Sequence, residues 1–291
     1  MPFANPQYLV ETDWLATHLD DPAVRVLETT VYLHPDPGRL GGFRVESGRA
    51  KWAEGHIPGA GFVDLQEELS DRASRLRFMM PPAAQFADAL GRAGVGDGVR
   101  VVLYDRAVNM WAARIWWMLR AFGFDNAAVL NGGFRKWTLE GRPVATDDGV
   151  RPARTFTPRP RPELIADKAQ VLAGVGDGAT CLLNALSAEQ HAGTGGADYG
   201  RPGRITGSVN VVARELVDPK THAYLPAEEL RARFAAVGAL DAGTVITYCG
   251  GGIAASSDAF VLALLGKRDV ALYDASLSEW ANDPSLPMER D

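Results

Sequence analysis

The sequence predicts an α/β protein of two tandem domains, each a central parallel sheet flanked by helices. Three observations predict it. Short β-rich runs alternate with helical stretches, a set of anchor motifs recurs once along the chain, and 291 residues suit two domains of ordinary size.

The repeat has an offset of roughly 145 residues, and its anchors keep their order. Gly55-His56-Ile57-Pro58-Gly59-Ala60 pairs with Gly203-Arg204-Ile205-Thr206-Gly207-Ser208. Gly94 and Val101-Val102-Leu103-Tyr104-Asp105 pair with Gly238 and Val245-Ile246-Thr247-Tyr248-Cys249. Val129-Leu130-Asn131-Gly132-Gly133 and Trp137 pair with Leu272-Tyr273-Asp274-Ala275-Ser276 and Trp280. Three anchors in one register mark a duplicated domain. The first copy is placed at 1–146 and the second at 163–291. Between them, 147–162 is rich in Pro and Arg and poor in apolar residues, and it reads as a linker with solvated arginines.

In the first copy, Val24 to Glu28, Val99 to Tyr104 and Ala127 to Leu130 read as strands. Trp111 to Phe122 is apolar nearly all round and long enough for a buried helix, so Trp111, Trp116 and Trp117 belong to the core. In the second copy, Ala179 to Asn184, Val209 to Val212, Thr244 to Tyr248 and Val270 to Tyr273 read as strands. Ala254 to Leu265 reads as a helix stopped by Gly266. In parallel sheets of this kind, ligands bind beyond the carboxyl ends of the strands.

Apolar residues make up 46% of the chain and charged residues 23%, enough for real cores and against disorder. The net charge of -6 argues against nucleic acid as the main partner, because phosphate binding needs a dense basic face. No apolar run approaches the roughly 18 residues of a membrane span, and the N-terminus lacks a signal-peptide pattern. A cytoplasmic location is expected. The only cysteines, Cys181 and Cys249, have neither metal-ligand spacing nor a disulfide framework.

Cys249 is the candidate nucleophile. The strand before it delivers it to a sheet's carboxyl edge, and Gly250, Gly251, Gly252, Ile253 and Ala254 follow, leading into a helix. Glycines allow a tight turn whose N–H groups point inward as an anion nest, and the helix adds its positive N-terminal end. Both favour a thiolate and would cradle an anionic persulfide. Cys181, inside an apolar strand without glycines, reads as packing.

With these residues in view, the chain resembles the two-domain rhodanese-type sulfurtransferases, the thiosulfate and 3-mercaptopyruvate sulfurtransferases. Gly55 to Ala60 resembles the family's first signature and Leu272 to Trp280 its second. Cys249 to Ala254 has the length of the family's active loop. The resemblance implies a catalytic second domain and an inactive first one, where Asp105 replaces the cysteine. His56, carried by the inactive copy, is then structural. It also implies covalent catalysis: sulfur passes from a small donor to Cys249 as a persulfide, then to a thiol, cyanide or a protein thiol, with no metal or organic cofactor.

For the donor, the uncharged loop resembles the mercaptopyruvate type. The arginine usual in that type after the first strand of the second domain is replaced by Leu186, and its histidine before Met-x-Pro by Phe78. Arg201, ahead of Arg204, is the candidate to hold a carboxylate or sulfonate in its place, and Asp64 matches an interface acid of relatives. A cysteine phosphatase would need an arginine at position 255, where this chain has Ala255. A relay or regulatory module that only carries persulfide is the non-enzymatic alternative.

Overall fold

The computed structural model describes residues 2–197 and 199–291. In chain order the first copy contains β1 (Leu9–Val10), α1 (Thr12–Ala16), β2 (Val24–Glu28), β3 (Val31–Pro35), β4 (Phe43–Ser47), α2 (Arg49–Glu54), β5 (Gly61–Phe62), α3 (Ala83–Arg92), β6 (Arg100–Tyr104), α4 (Met110–Ala121), β7 (Ala127–Leu130) and α5 (Gly133–Leu139). Its parallel sheet runs β1-β7-β6-β2-β5, while β3 and β4 form a separate antiparallel hairpin.

The second copy contains β8 (Ile165–Ala166), α6 (Lys168–Gly174), β9 (Thr180–Asn184), α7 (Ala188–Ala192), β10 (Arg204–Ile205), β11 (Val209–Asn210), α8 (Ala227–Ala236), β12 (Thr244–Tyr248), α9 (Ile253–Leu264), β13 (Val270–Tyr273), α10 (Ser276–Trp280) and β14 (Met288–Glu289). Its parallel sheet runs β11-β9-β12-β13-β8, and β10 pairs with β14 at the side. The strands carrying Asp105 and Cys249 at their carboxyl ends, β6 and β12, are each the middle strand of five. The expected strand over Val209 to Val212 stops at Asn210. Beyond it Val211 N–H turns to the Asn184 carbonyl, and Val212 opens a 3-10 turn at Ala213–Glu215.

The two copies meet through α4 and α9. Every residue of α4 except Arg120, and every residue of α9 except Ala254, is buried. One side of each helix lies on its own sheet and the other on its counterpart, which is why neither shows a narrow apolar stripe. Trp116 and Phe260 meet in a T-shaped contact, ring centroids 4.8 Å apart.

Above this contact the copies exchange loops. Residues 78–80 of the first copy are held by Arg114, which donates to the Phe78 carbonyl at 2.5 Å, and by Asp274 of the second copy, which accepts from Met80 N–H at 2.7 Å. Arg114 and Asp274 form a buried ion pair at 2.6 Å. Reciprocally, Asn109 of the first copy donates to the His222 carbonyl at 2.7 Å, and Asn131 accepts from Tyr224 N–H at 2.8 Å. Phe78 and His222 share a left-handed backbone, φ 62° and 60°.

The segment read as a solvated linker holds no helix or strand over 146–161, but it is docked on the first copy. Arg154, Arg159 and Arg161 donate backbone N–H groups to Gly91, Phe122 and Ala121, and Phe156 is buried against Phe86. Its arginines are not all solvated: Arg161 grips Asp125 at 2.6 Å. No helix among the described residues is long and apolar enough to cross a membrane.

Asp258 lies in α9 fully buried, and among the described residues neither carboxyl oxygen has a hydrogen-bond partner. Burial pushes its pKa well up. The folded protein keeps it protonated where the unfolded chain ionises it. Its folded pKa lies above the unfolded one, so the group costs nothing below the unfolded carboxylate range. The cost then grows as pH rises above that range. Asp258→Asn should therefore be more stable than wild type at pH 7, with the gap closing on acidification to about pH 4. Urea midpoints across that pH range measure it, and a gap that does not vary with pH would contradict the assignment.

Candidate active site

At the carboxyl end of β12 the chain turns sharply at Cys249 and enters α9 four residues later. Cys249 is 2% exposed. Gly252 has φ 78°, and a Cβ there would press on Asp274 and Arg114, so only glycine suits it. At Gly250 a Cβ would fall inside the ring of Tyr199, which packs directly on the backbone there.

The Cys249 and Gly250 carbonyls are held by the segment after β13. Leu277 N–H donates to Cys249 O at 3.1 Å, and Ser278 donates to Gly250 O through both its N–H, at 2.9 Å, and its hydroxyl, at 2.6 Å. Ser276 Oγ accepts from Cys249 N–H at 3.0 Å and Gly252 N–H at 3.3 Å. Gly251, Ile253 and Ala254 N–H meet no protein acceptor among the described residues, and no side chain caps α9. Uncapped first-turn amides favour an anion through both their hydrogens and the helix dipole.

The first copy shows what such a cradle does. Asp105, fully buried, accepts from Ala107 N–H at 2.8 Å, Asn109 N–H at 3.1 Å, Trp111 N–H at 2.9 Å and Ala112 N–H at 3.0 Å. Burial raises its pKa while the four amides pull it down. A carboxyl group thus fills in one copy the seat that in the other lies beside a thiol. The loop after Asp105 is one residue longer, with Asn109 at the left-handed cap position where the second copy has Gly252.

A model of the rhodanese-like domain matches twice, over residues 11–140 and 170–283. The chain belongs to the rhodanese family. It is 34% identical over 284 residues to a thiosulfate sulfurtransferase of Bos taurus, covering 94% of this chain and 91% of the relative. It is 32% identical over 302 residues to the sulfur carrier protein TtuD of Thermus thermophilus, covering 100% and 99%. Among solved structures it resembles the 3-mercaptopyruvate sulfotransferase SseA from Escherichia coli, with TM-score 0.80 and 30% identity over 92% of this chain and 98% of that one. The enzyme class is a rhodanese-type sulfurtransferase, with a sulfur donor and a sulfur acceptor as substrates.

In this rhodanese-type chain, a cavity of about 510 Å³ opens over Cys249 between the two copies. Its cations are Arg75 and Arg77, from the loop that the first copy lends, and Arg214, on the 3-10 turn beyond β11. Arg77 donates to Phe43 O at 3.0 Å and lies over the Phe43 ring. Arg75 and Arg214 make no side-chain ion pair or hydrogen bond among the described residues. No acid among the described residues lines the cavity.

The arginines expected from sequence are elsewhere. Arg201 does not line the cavity. Its guanidinium is spent on the carbonyls of Trp280, Ala281, Asp283 and Leu286, at 2.6–3.2 Å, and ties the C-terminal segment to the domain. Arg204 pairs with Glu289 at 2.9 Å and Asp291 at 2.8 Å, doing for the second copy what His56, 3.4 Å from Asp147, does for the first. Asp64 is buried in a turn, where it accepts from Ser47 Oγ, Gln66 N–H and Glu67 N–H, so it too is structural. Leu186 and Phe78 do line the cavity, as apolar wall. Cys181 sits on β9 outside it, with burial pushing its thiol up to about 11.

Arg214 had a legible signal, a cation just past the carboxyl end of a strand. Arg75, Arg77 and Tyr199 had none, because they reach the site through the loop exchange and through an irregular segment.

Arg201→Ala should lower stability by about 2 kcal/mol, the scale of lost charged hydrogen bonds, and leave the KM of the folded enzyme unchanged. Urea unfolding and a donor titration measure the two. A raised KM at unchanged stability would return Arg201 to the substrate.

Proposed function

We propose that Cys249 is the catalytic residue and carries sulfur as a persulfide in the cradle of Gly251, Ile253 and Ala254 N–H groups. The observation that carries this reading is a buried thiol beside unfilled helix-start amides, under a cavity that holds arginines and, among the described residues, no acid. The thiolate attacks the outer sulfur of a donor, a sulfur–sulfur bond forms, and the donor's remaining group leaves with the bonding pair. An acceptor thiol or cyanide, or a protein thiol, then attacks the outer persulfide sulfur and frees Cys249.

Arg77 and Arg214 replace Arg201 as the groups that hold the donor's anionic end. They belong to the cavity wall and not to the Cys249 loop. In 3-mercaptopyruvate the carboxylate lies two carbons beyond the carbon that bears sulfur, which suits cations on the wall. In thiosulfate the charge sits on the group bonded to the transferred sulfur, deep in the neutral loop, where desolvation is least compensated. The donor preference is therefore 3-mercaptopyruvate over thiosulfate. A second reading, a carrier that passes persulfide on without turning over small donors, draws on the likeness to TtuD.

Cys249→Ser should abolish transfer and Cys181→Ser should not. Donor should add one sulfur, about 32 Da, to Cys249 alone, and intact and peptide mass spectrometry reads it. Sulfur on Cys181 would sink the proposal, and loading without turnover would favour the carrier.

Arg77→Ala and Arg214→Ala should each cost about 1.5–3 kcal/mol in kcat/KM for 3-mercaptopyruvate, the range for a hydrogen bond to a charged group. Unchanged steady-state constants in both variants would remove them from the site.

A further inference from the structure

The donor reading leaves a proton to account for. When the leaving group departs from carbon, its enolate must be protonated, and the donor's thiol proton must go somewhere. Thiosulfate transfer needs no such step. Among the described residues, few groups lining the cavity can move a proton. The Ser278 hydroxyl donates to Gly250 O, Gln190 donates its amide to Ala197 O at 2.9 Å, and guanidinium groups do not give up protons at neutral pH.

Tyr199 remains. Its ring lies on Gly250, the residue next to the nucleophile, and its hydroxyl donates to no protein atom among the described residues. The ring is fixed from several sides. Phe43 of the hairpin meets it edge-on at 6.5 Å, Gly41 closes on it so tightly that a Cβ there would be 3.0 Å from its edge, and Asn282 Nδ2 holds its carbonyl at 2.6 Å.

We propose that Tyr199 is the proton relay for 3-mercaptopyruvate, an inference that rests on the donor reading above. The Cys249 thiolate attacks the donor's thiol sulfur, the sulfur–carbon bond breaks, and its electron pair passes to the enolate. The phenol gives its proton to the enolate carbon and recovers the proton of the donor thiol. The sum is thiolate plus 3-mercaptopyruvate giving persulfide plus pyruvate. Both sulfurs reach the disulfide level of oxidation, the carbon is reduced by the pair it keeps, and charge balances.

The phenol's environment agrees. Burial first, and the Cys249 thiolate next, raise its pKa, against the opposing pull of Arg214 and Arg77. The group is therefore protonated at neutral pH and is a donor suited to a strongly basic enolate.

Tyr199→Phe keeps the ring on Gly250 and removes only the hydroxyl, so comparing the two donors on one variant separates proton transfer from packing. The kcat with 3-mercaptopyruvate should fall on the order of 10²-fold, and its solvent deuterium isotope effect should change. The rate with thiosulfate should stay within about twofold, as expected where no proton moves. An equal loss with both donors would make Tyr199 a packing residue, and an unchanged 3-mercaptopyruvate rate would exclude the relay. Wild type loading Cys249 from thiosulfate but not from 3-mercaptopyruvate would overturn the donor reading and the relay together, leaving the persulfide chemistry standing.

Discussion

The site depends on the contact between α4 and α9 and on the buried Arg114–Asp274 pair above it. An ion pair of this kind, with both partners out of water, is worth little against an apolar substitute but costs much to break from one side. Its value here is register. Arg114 grips the Phe78 carbonyl and Asp274 grips Met80 N–H, so one pair anchors the segment 75–80 across the domain boundary. Those residues supply Arg75, Arg77 and Phe78 to the cavity over Cys249. The half that carries Cys249 borrows its wall from the half that carries no cysteine at the loop.

That borrowing gives a structural use to a first copy with Asp105 at the position equivalent to Cys249. Asp105 satisfies two amides of the loop and two in the first turn of α4, and so acts as a structural cap. The helix it caps presents Trp116 to Phe260 and Arg114 to Asp274. The two copies keep one backbone plan and have diverged by the side chain that occupies the cradle. In one copy the anion is built in. In the other the amides of Gly251, Ile253 and Ala254 are left for a bound one.

The hairpin of β3 and β4 has no strand counterpart in the second copy. There the matching stretch is α7 and the irregular run to Gly203. Hairpin and run meet over the cavity, through Gly41 and Phe43 on one side and Tyr199 on the other. The duplicated domains are thus unequal where they face each other, and the asymmetric parts wall the cavity over Cys249.

Much of this was legible in the sequence. Thr244-Val245-Ile246-Thr247-Tyr248 is an apolar run that could only be a buried strand, and glycines directly after a cysteine allow one kind of turn. Those are local consequences of backbone sterics, as is the repeat, because the same turns at the same spacing demand the same residues. Apart from Arg214, just past the carboxyl end of a strand, the cations were not legible. Arg201, Arg204, Arg75 and Arg77 are alike as letters, and nothing local distinguishes an arginine that meets carbonyls from one that faces a cavity. Arg201 was drawn to the chain end at Trp280 to Leu286, Arg204 to Glu289 and Asp291, and Arg77 across a domain boundary. The sequence alone determined the fold, the duplication and the candidate nucleophile, since each rests on short-range pattern. Only the tertiary structure decided which charges face Cys249, because that depends on how two separately folded sheets are clamped together.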